Sequence, residues 1–228
     1  MYILGFDTSN AYSSVAISKG SEIIYAKKDY DPNTQAERLI LLIEEALNAT
    51  SLNYEKLDYL SVCAGPGSFT GIRIALSAAK GILLACKKIK PICINNFETI
   101  NFRIRQQILE YDFAVTTVNA FREELYLQIF SKKEKESEAL QLSIQESVKL
   151  IESKIGKIVV AGSGVEKIYN FSEKFKESGN HTFLPRFAYP DARFICRVAH
   201  QQIMQNKENN IISPLYIRPP DAKLPTIK

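Results

Sequence analysis

The sequence predicts an α/β fold built from two tandem βββαβα lobes. Three observations carry this expectation. Strand-like apolar runs separated by turn residues open the first half, and the same order of elements returns in the second. A glycine-rich heptapeptide, Gly65-Pro66-Gly67-Ser68-Phe69-Thr70-Gly71, joins an apolar strand-like run to an apolar helical one.

The runs YILGFD, SSVAIS and EIIYAKK read as three strands with turns at TSNAY and KGS. A helix follows over ERLILLIEEALN. Thr34 with Glu37 three residues on makes a capping-box pattern before it, and Ala36, Leu39, Ile40, Ile43, Ala46 and Leu47 fall on one face. LSVCAG is the fourth strand, and IRIALSAAKGILLAC, beyond the glycine loop, is the second helix. Glycines let backbone N–H groups approach a ligand or partner closely, and Ser68 is placed to cap that helix. The loop is neither a Walker A loop, which ends in Gly-Lys-Ser/Thr, nor the Gly-x-Gly-x-x-Gly dinucleotide fingerprint.

In the second half, strands FAVTTV, ELYLQIF and ALQLSI, helix QESVKLIESKI, strand KIVVAGSG and helix VEKIYNFSEKF repeat the order. Each half should form a mixed sheet with helices packed on it. A cleft between the lobes, flanked by the turn after each first strand, is the natural ligand site. The tail carries a helical run, FICRVAHQQIMQ, and ends in PLYIRPPDAKLPTIK, whose prolines exclude regular helix. The lobes are expected over residues 1–101 and 102–228, with the last helix able to cross back to the first lobe.

Composition supports a folded protein with a real core: 46% of the 228 residues are hydrophobic. The formal net charge of +4 is small and the lysines and arginines are scattered along the chain, which gives little support to a direct nucleic-acid-binding module. Cys63, Cys86, Cys93 and Cys196 show no C-x-x-C spacing, a usage suited to a reducing cytosol. No signal peptide is readable in MYILGFDTSN, and no stretch approaches the roughly 20 apolar residues of a membrane span, so a cytoplasmic, membrane-free protein is expected.

With both halves in view, GFDTS at the start, AGPGSFTGIRIALSAAKG in the middle and PLYIR near the end resemble the TsaB family, non-catalytic paralogues of TsaD. The resemblance covers almost the whole chain in consistent order, and GPGSFTG followed by Ile-Arg-Ile is its most specific part. It implies an actin-like ATPase superfamily (ASKHA) fold of two ribonuclease-H-like lobes and a role in making N6-threonylcarbamoyladenosine (t6A) beside the tRNA anticodon. It also implies TsaD as a partner bound through the helices of the N-terminal lobe, the ATPase TsaE as a second partner, and a homodimer when the chain is alone. No cofactor is expected to be tightly bound; ATP or ADP with Mg²⁺ would act at the level of the complex, through the partners, and so would tRNA.

TsaD-like sequences carry an H-x-x-x-H metal-binding pair after the second helix. The corresponding INNFETI places Asn96 and Ile100 at the ligand positions, and neither replaces an imidazole. His181, in the loop-like SGNHTF, and His200, in a helical run, have no chelating spacing. Ser9, Ser68 and Ser163 lack a G-x-S-x-G context. Neither a metal site nor a nucleophilic triad is therefore expected.

Asp7 ends the first strand, where actin-like ATPases place a carboxylate near the nucleotide's metal, but Asp7-Thr8-Ser9 is also good turn chemistry. The equivalent turn is Asn119-Ala120-Phe121, where TsaB relatives commonly read Asp-Ala-Arg, with Arg122 displaced by one residue. Replacing a carboxylate by an amide weakens any Mg²⁺ site. Gly162-Ser163-Gly164 sits where actin-like folds contact adenosine, although a glycine pair also makes such connections in unliganded proteins. Asp7, Thr8, Ser9, Gly162, Ser163 and Gly164 are thus the candidates for a weak nucleotide cleft.

The helix after the glycine loop is apolar over roughly 220° of its circumference, well beyond the ~100° stripe needed to pack on one sheet. Its excess calls for a second apolar neighbour. Bulky Ile72, Leu76 and Leu83 are assigned to the core; Gly71, Ala75, Ala78 and Ile82, whose small neighbours permit close helix approach, are assigned to a partner interface together with Leu42 of the preceding helix. The leading expectation is a non-catalytic scaffold subunit of t6A synthesis; the rival is an actin-like nucleotide-dependent transferase or metallohydrolase acting alone.

Overall fold

In a computed structural model the structure describes residues 1–31, 34–120, 123–132, 137–173, 175, 179–189 and 191–217. Two five-stranded mixed sheets form the frame. The first comprises β1 (Tyr2–Asp7), β2 (Ser13–Lys19), β3 (Glu22–Asp29), β4 (Tyr59–Cys63) and β5 (Lys90–Ile94), ordered β3-β2-β1-β4-β5. The second comprises β6 (Phe113–Asn119), β7 (Glu124–Ser131), β8 (Leu140–Ser143), β9 (Ile158–Gly162) and β10 (His181–Leu184), ordered β10-β9-β6-β7-β8. Read from its other edge, the second sheet repeats the topology of the first.

Two of these strands were not expected, and His181 lies on one of them rather than in a loop. Both β5 and β10 are short edge strands, paired parallel to β4 and β9 respectively. Short edge strands carry little periodic signal, and Pro91 inside β5 is tolerated because an edge strand has one unpaired side.

The helices are α1 (Gln35–Ala49), α2 (Phe69–Ala85), α3 (Asn96–Gln107), α4 (Ile144–Glu152), α5 (Val165–Phe171) and α6 (Ala192–Met204). Alternation along the strands gives each sheet two apolar faces. On the first sheet, Leu4, Phe6, Val15, Ile17, Leu60 and Val62 face α1 and α2, whereas Ile3, Ala16, Cys63, Ile92 and Ile94 face α6. Gly5 makes that approach possible, since a Cβ there would lie 2.5 Å from Cys196 Sγ and 3.2 Å from the Ala192 carbonyl oxygen. On the second sheet, Val115, Leu127, Ile129 and Val160 face α4 and α5, and Ala114, Phe130, Val159 and Ala161 face Phe97, Ile100 and Ile104 of α3.

The two halves therefore exchange helices: α3 covers the second sheet and α6 the first. The expected boundary at residue 101 falls inside α3, a continuous helix. Phe102 and Phe194 meet edge to face at 6.4 Å where α3 and α6 pack together.

The capping box expected at Thr34 is not formed; its hydroxyl makes no cap bond. Complete boxes occur instead at Asn95 with Glu98, opening α3, and at Ser143 with Glu146, opening α4.

Candidate functional site

The turn after β1 is held from below by a buried polar network. Asp7 is fully buried; its Oδ1 accepts the Ser9 N–H at 2.9 Å and its Oδ2 accepts Asn10 Nδ2 at 2.8 Å. Burial raises its pKa above the usual carboxylate value, partly offset by these hydrogen bonds to Ser9 and Asn10. Thr8 Oγ1 donates to the Gly71 carbonyl at 2.6 Å, and Ser9 O accepts the Ser68 N–H at 2.8 Å. Gly71 is required here because a Cβ would stand 1.8 Å from the Thr8 carbonyl oxygen. Ser68 caps α2, accepting the Gly71 N–H at 3.2 Å.

Asn96 occupies the centre of this network, fully buried. Its Nδ2 donates to Ser9 Oγ at 3.1 Å and to the Pro66 carbonyl, and its Oδ1 accepts the Cys63 thiol at 2.8 Å. Burial, followed by the nearby Asp7 carboxylate, pushes that thiol well above its ordinary pKa, so Cys63 is held as a neutral donor. Ile100 faces the second core, and the two positions that would carry imidazoles in a TsaD-like pair are thus interior packing sites. His181 lies on β10 of the second sheet and His200 on α6, which packs on the first. Among the described residues no group of three His, Cys, Asp or Glu side chains is arranged to hold a metal ion.

Above the network lies an interlobe cleft of about 270 Å³. Its wall is the turn after β1 (Ser9, Asn10, Ala11), the glycine loop (Gly67, Ser68), the end of β6 (Val118, Asn119, Ala120), Ser163 and Tyr189. The structure brings Ser9 and Ser163 to this wall. Asp7 and Thr8 are buried beneath it. Gly162 and Gly164 are packing positions, because a Cβ on either would lie 1.8 or 2.2 Å from the Thr117 carbonyl or hydroxyl oxygen. Ser163 Oγ accepts the Asn119 N–H at 3.0 Å. These described wall residues carry no carboxylate and no cation, a donor set that does not fit a metal-bound nucleoside phosphate. Phe121 and Arg122 lie outside the described residues.

A second surface lies on the outer side of α1 and α2. An apolar groove of about 520 Å³ runs between them, walled by Ala36 and Ile40 of α1 and by Phe69, Ile74 and Ala78 of α2. It continues into a second groove of about 320 Å³ that includes Ala78, Gly81, Ile82 and Ala85. Ile40, Leu41, Phe69 and Leu84 are 43%, 59%, 49% and 78% exposed.

This surface corrects three of the five interface residues expected from sequence. Leu42, Gly71 and Ala75 are buried in the chain's own core, while Ala78 and Ile82 line the grooves. The buried stripe of α1 is Leu39, Leu42, Ile43, Ala46 and Leu47, which leaves Ala36 and Ile40 outside. Small residues permit close approach to a strand as well as to another helix, so Gly71, Ala75 and Ala79 let α2 settle onto β1 and β4.

The PLYIR segment reaches the same region. Leu215 N–H donates to the Ala64 carbonyl at 2.9 Å, and Tyr216 lies 6.0 Å from the Phe69 ring, which Arg73 covers at 3.7 Å. Arg218 and the residues after it lie outside the described residues.

Residues 33–224 match the family model described as TsaD: tRNA N6-adenosine threonylcarbamoyltransferase. The chain is 25% identical over 224 residues to the tRNA threonylcarbamoyladenosine biosynthesis protein TsaB of Buchnera aphidicola subsp. Baizongia pistaciae, spanning 94% of this chain and 97% of that one. The chain belongs to the TsaB family. Likeness to the tRNA N6-adenosine threonylcarbamoyltransferase of Erythrobacter litoralis is 34% over 86 residues, only 37% of this chain and 25% of that one. Among solved structures, YeaZ from Pseudomonas aeruginosa superposes with a TM-score of 0.78 at 17% identity, over 94% of this chain and 99% of that one. A putative N-acetylmannosamine kinase from Listeria monocytogenes superposes with a TM-score of 0.52 at 11% identity, over 90% of this chain and all of that one. The chain shares the fold of both. Among the described residues no helix is long and apolar enough to cross a membrane.

The N-cap pattern Asn95-x-x-Glu98 was a readable signal for α3. The role of Asn96 was not readable, because its partners Ser9, Cys63 and Pro66 lie 87, 33 and 30 residues away.

Proposed function

We propose that this chain is a non-catalytic scaffold subunit of tRNA N6-threonylcarbamoyladenosine synthesis, which docks TsaD through the outer face of α1 and α2 and supports turnover together with TsaE. The observation that carries this reading is the apolar groove between the two helices, with Ile40 and Phe69 exposed in its wall and Leu41 and Leu84 exposed elsewhere on the same helices. Contiguous apolar surface of this kind favours a protein partner. A cleft wall whose described residues carry no carboxylate or cation, and an Asn96 fully engaged in the interior, support leaving the chemistry to the partner. Nucleotide and Mg²⁺ would then act in the complex through TsaD and TsaE.

The test is size-exclusion chromatography of the full chain mixed with TsaD, followed by reconstituted tRNA modification. The wild-type chain should co-elute with TsaD and support modification. Ala78→Arg should remain soluble yet neither co-elute nor support modification. Unchanged co-elution and modification by the variant would place the interface elsewhere. Metal-dependent transferase or hydrolase activity of the chain alone would overturn the scaffold reading.

A further inference from the structure

Basic residues scattered along the sequence converge at one place on the surface. Arg103 of α3, Arg186 of the turn after β10, Arg193 and Arg197 of α6 and Lys28 of β3 gather around Phe187, Phe194 and Asp191. The Arg103 guanidinium lies 4.3 Å from the Phe187 ring centroid and 4.9 Å from that of Phe194. It donates to the backbone carbonyls of Tyr189 at 3.1 Å and Arg186 at 3.3 Å. Arg186 covers Phe187 at 5.2 Å, and Arg193 and Arg197 flank Phe194 at 6.0 and 5.8 Å.

The carboxylate at this locus is already engaged. Asp191, 4% exposed, accepts Lys28 at 2.8 Å and Arg193 at 2.7 Å. Exposed Arg186 and Arg197 have no ion-pair partner among the described residues. Five cations thus stand around this one carboxylate.

We propose that this surface is an RNA-binding patch: exposed Arg186 and Arg197 grip the phosphate backbone, Arg103 and Arg193, held by their own partners, add positive potential beside them, and Tyr30 and Tyr189 at its edge supply rings for base stacking. Tyr30 is 70% and Tyr189 40% exposed, and Tyr12 joins them, its ring centroid 5.5 Å from one and 5.9 Å from the other. Guanidinium forks match phosphate oxygens in pairs, and stacking against Phe187 and Phe194 holds them in place before binding, which lowers the ordering entropy. Exposed aromatic rings beside a cationic track suit nucleotides better than acidic side chains, which offer no flat face. Tyr189 also lines the interlobe cleft, so the patch runs continuously into it. Choosing RNA among polyanions rests on the function proposed above, and it gives the chain a direct contact with tRNA beyond any mediated by its partners.

The experiment is fluorescence anisotropy of labelled tRNA with the full chain across a salt series, alongside the double variant Arg186→Gln/Arg197→Gln. Both substituted side chains are exposed, so the variant should keep the wild-type melting curve. Wild type should bind with an affinity that falls steeply with salt. The variant should bind at least tenfold more weakly, with the slope of log K against log salt reduced by about one for each phosphate no longer gripped. Equal affinity and slope for the two proteins, or no binding by wild type at low salt, would overturn the proposal. Competition by polyglutamate as effective as by unlabelled tRNA would also overturn it, in favour of an acidic protein partner. Co-elution with TsaD is measured on the same samples. Loss of co-elution in both proteins would sink the scaffold reading, whereas the tRNA titration alone decides the patch.

Discussion

Asn96 Nδ2 donates to Ser9 Oγ at 3.1 Å, tying the first turn of α3 to the turn after β1 across 87 residues of sequence. The same side chain accepts the Cys63 thiol and donates to the Pro66 carbonyl, so one amide closes the floor beneath the interlobe cleft. Asn96→Ala would leave three buried polar groups without this partner. Each group left unsatisfied costs about 1–3 kcal/mol. The melting temperature should fall by about 2–4 °C per kcal/mol lost for a chain of this size, as read by thermal unfolding. A melting curve identical to wild type would show that water replaces the amide freely.

Asp7→Asn tests whether the buried carboxylate has a purpose beyond the turn. Because the folded pKa of Asp7 lies above its ordinary value of 3.8, the native state holds this proton more tightly than the unfolded state does. Its contribution to stability is therefore fully present below 3.8 and is lost as pH rises through the folded pKa. The amide oxygen that Asp7→Asn introduces can still accept the Ser9 N–H. The variant should match or exceed wild-type stability at neutral pH, with its relative advantage growing from pH 4 upward, and should retain reconstituted tRNA modification. A large loss of modification at unchanged melting temperature would assign Asp7 a functional role.

Asp191 has the opposite sign. Burial opposes its charge, but hydrogen bonds from Arg193 and Lys28 prevail and bring its pKa down to about 2. Its stabilisation is present above 3.8 and is lost as pH falls toward 2. The Asp191 side chain also caps α6, accepting the Arg193 N–H at 3.0 Å. Loss of such a cap alone costs about 0.5–2 kcal/mol. Asp191→Ala should lower the melting temperature at pH 7 and flatten the acid limb of the stability profile; an unchanged acid limb would mean that other carboxylates dominate it.

The two sides of α2 should respond differently to charge. Ala75 is fully buried against the first sheet, so Ala75→Arg places an unpaired charge in the core and should yield insoluble protein. Ala78 lies in the outer groove, and Ala78→Arg should give soluble protein melting within a few degrees of wild type. Solubility and circular dichroism of the two variants decide this, and unfolding of both would show that the groove is part of the folded core.

Gly71→Ala adds a single methyl group, yet its Cβ would stand 1.8 Å from the backbone oxygen of Thr8. Backbone cannot rotate away as a side chain can. The substitution should destabilise the chain by about 1–3 kcal/mol or more, although alanine favours helix. A stabilised variant would mean that α2 can move off the turn at no cost.

Periodicity and turn chemistry are local properties of the chain, and the sequence by itself determined what depends on them. The two triplets of strands, the Ser68 cap and the positions of α1, α2, α4 and α5 were legible in this way. A repeated order of elements also determined that two similar sheets would form. Tertiary structure alone decided which apolar face of a helix meets its sheet. Leu41 and Leu42 are adjacent and equally apolar, yet Leu41 is 59% exposed and Leu42 is 1% exposed, because the placement of α1 on the sheet selects one of them. The same holds for α3, whose crossing depends on the fit of Phe97, Ile100 and Ile104 against the second sheet, whereas the return of the last helix to the first lobe was open in the sequence and is fixed by the fit of Gly5 against Cys196. Long-range convergence likewise assembled Ser9, Cys63 and Asn96 into one network, and Lys28, Arg103, Arg186, Arg193 and Arg197 into one basic surface. Residues far apart in the chain become neighbours only when the sheets and helices have packed, so no local pattern in the sequence records their proximity.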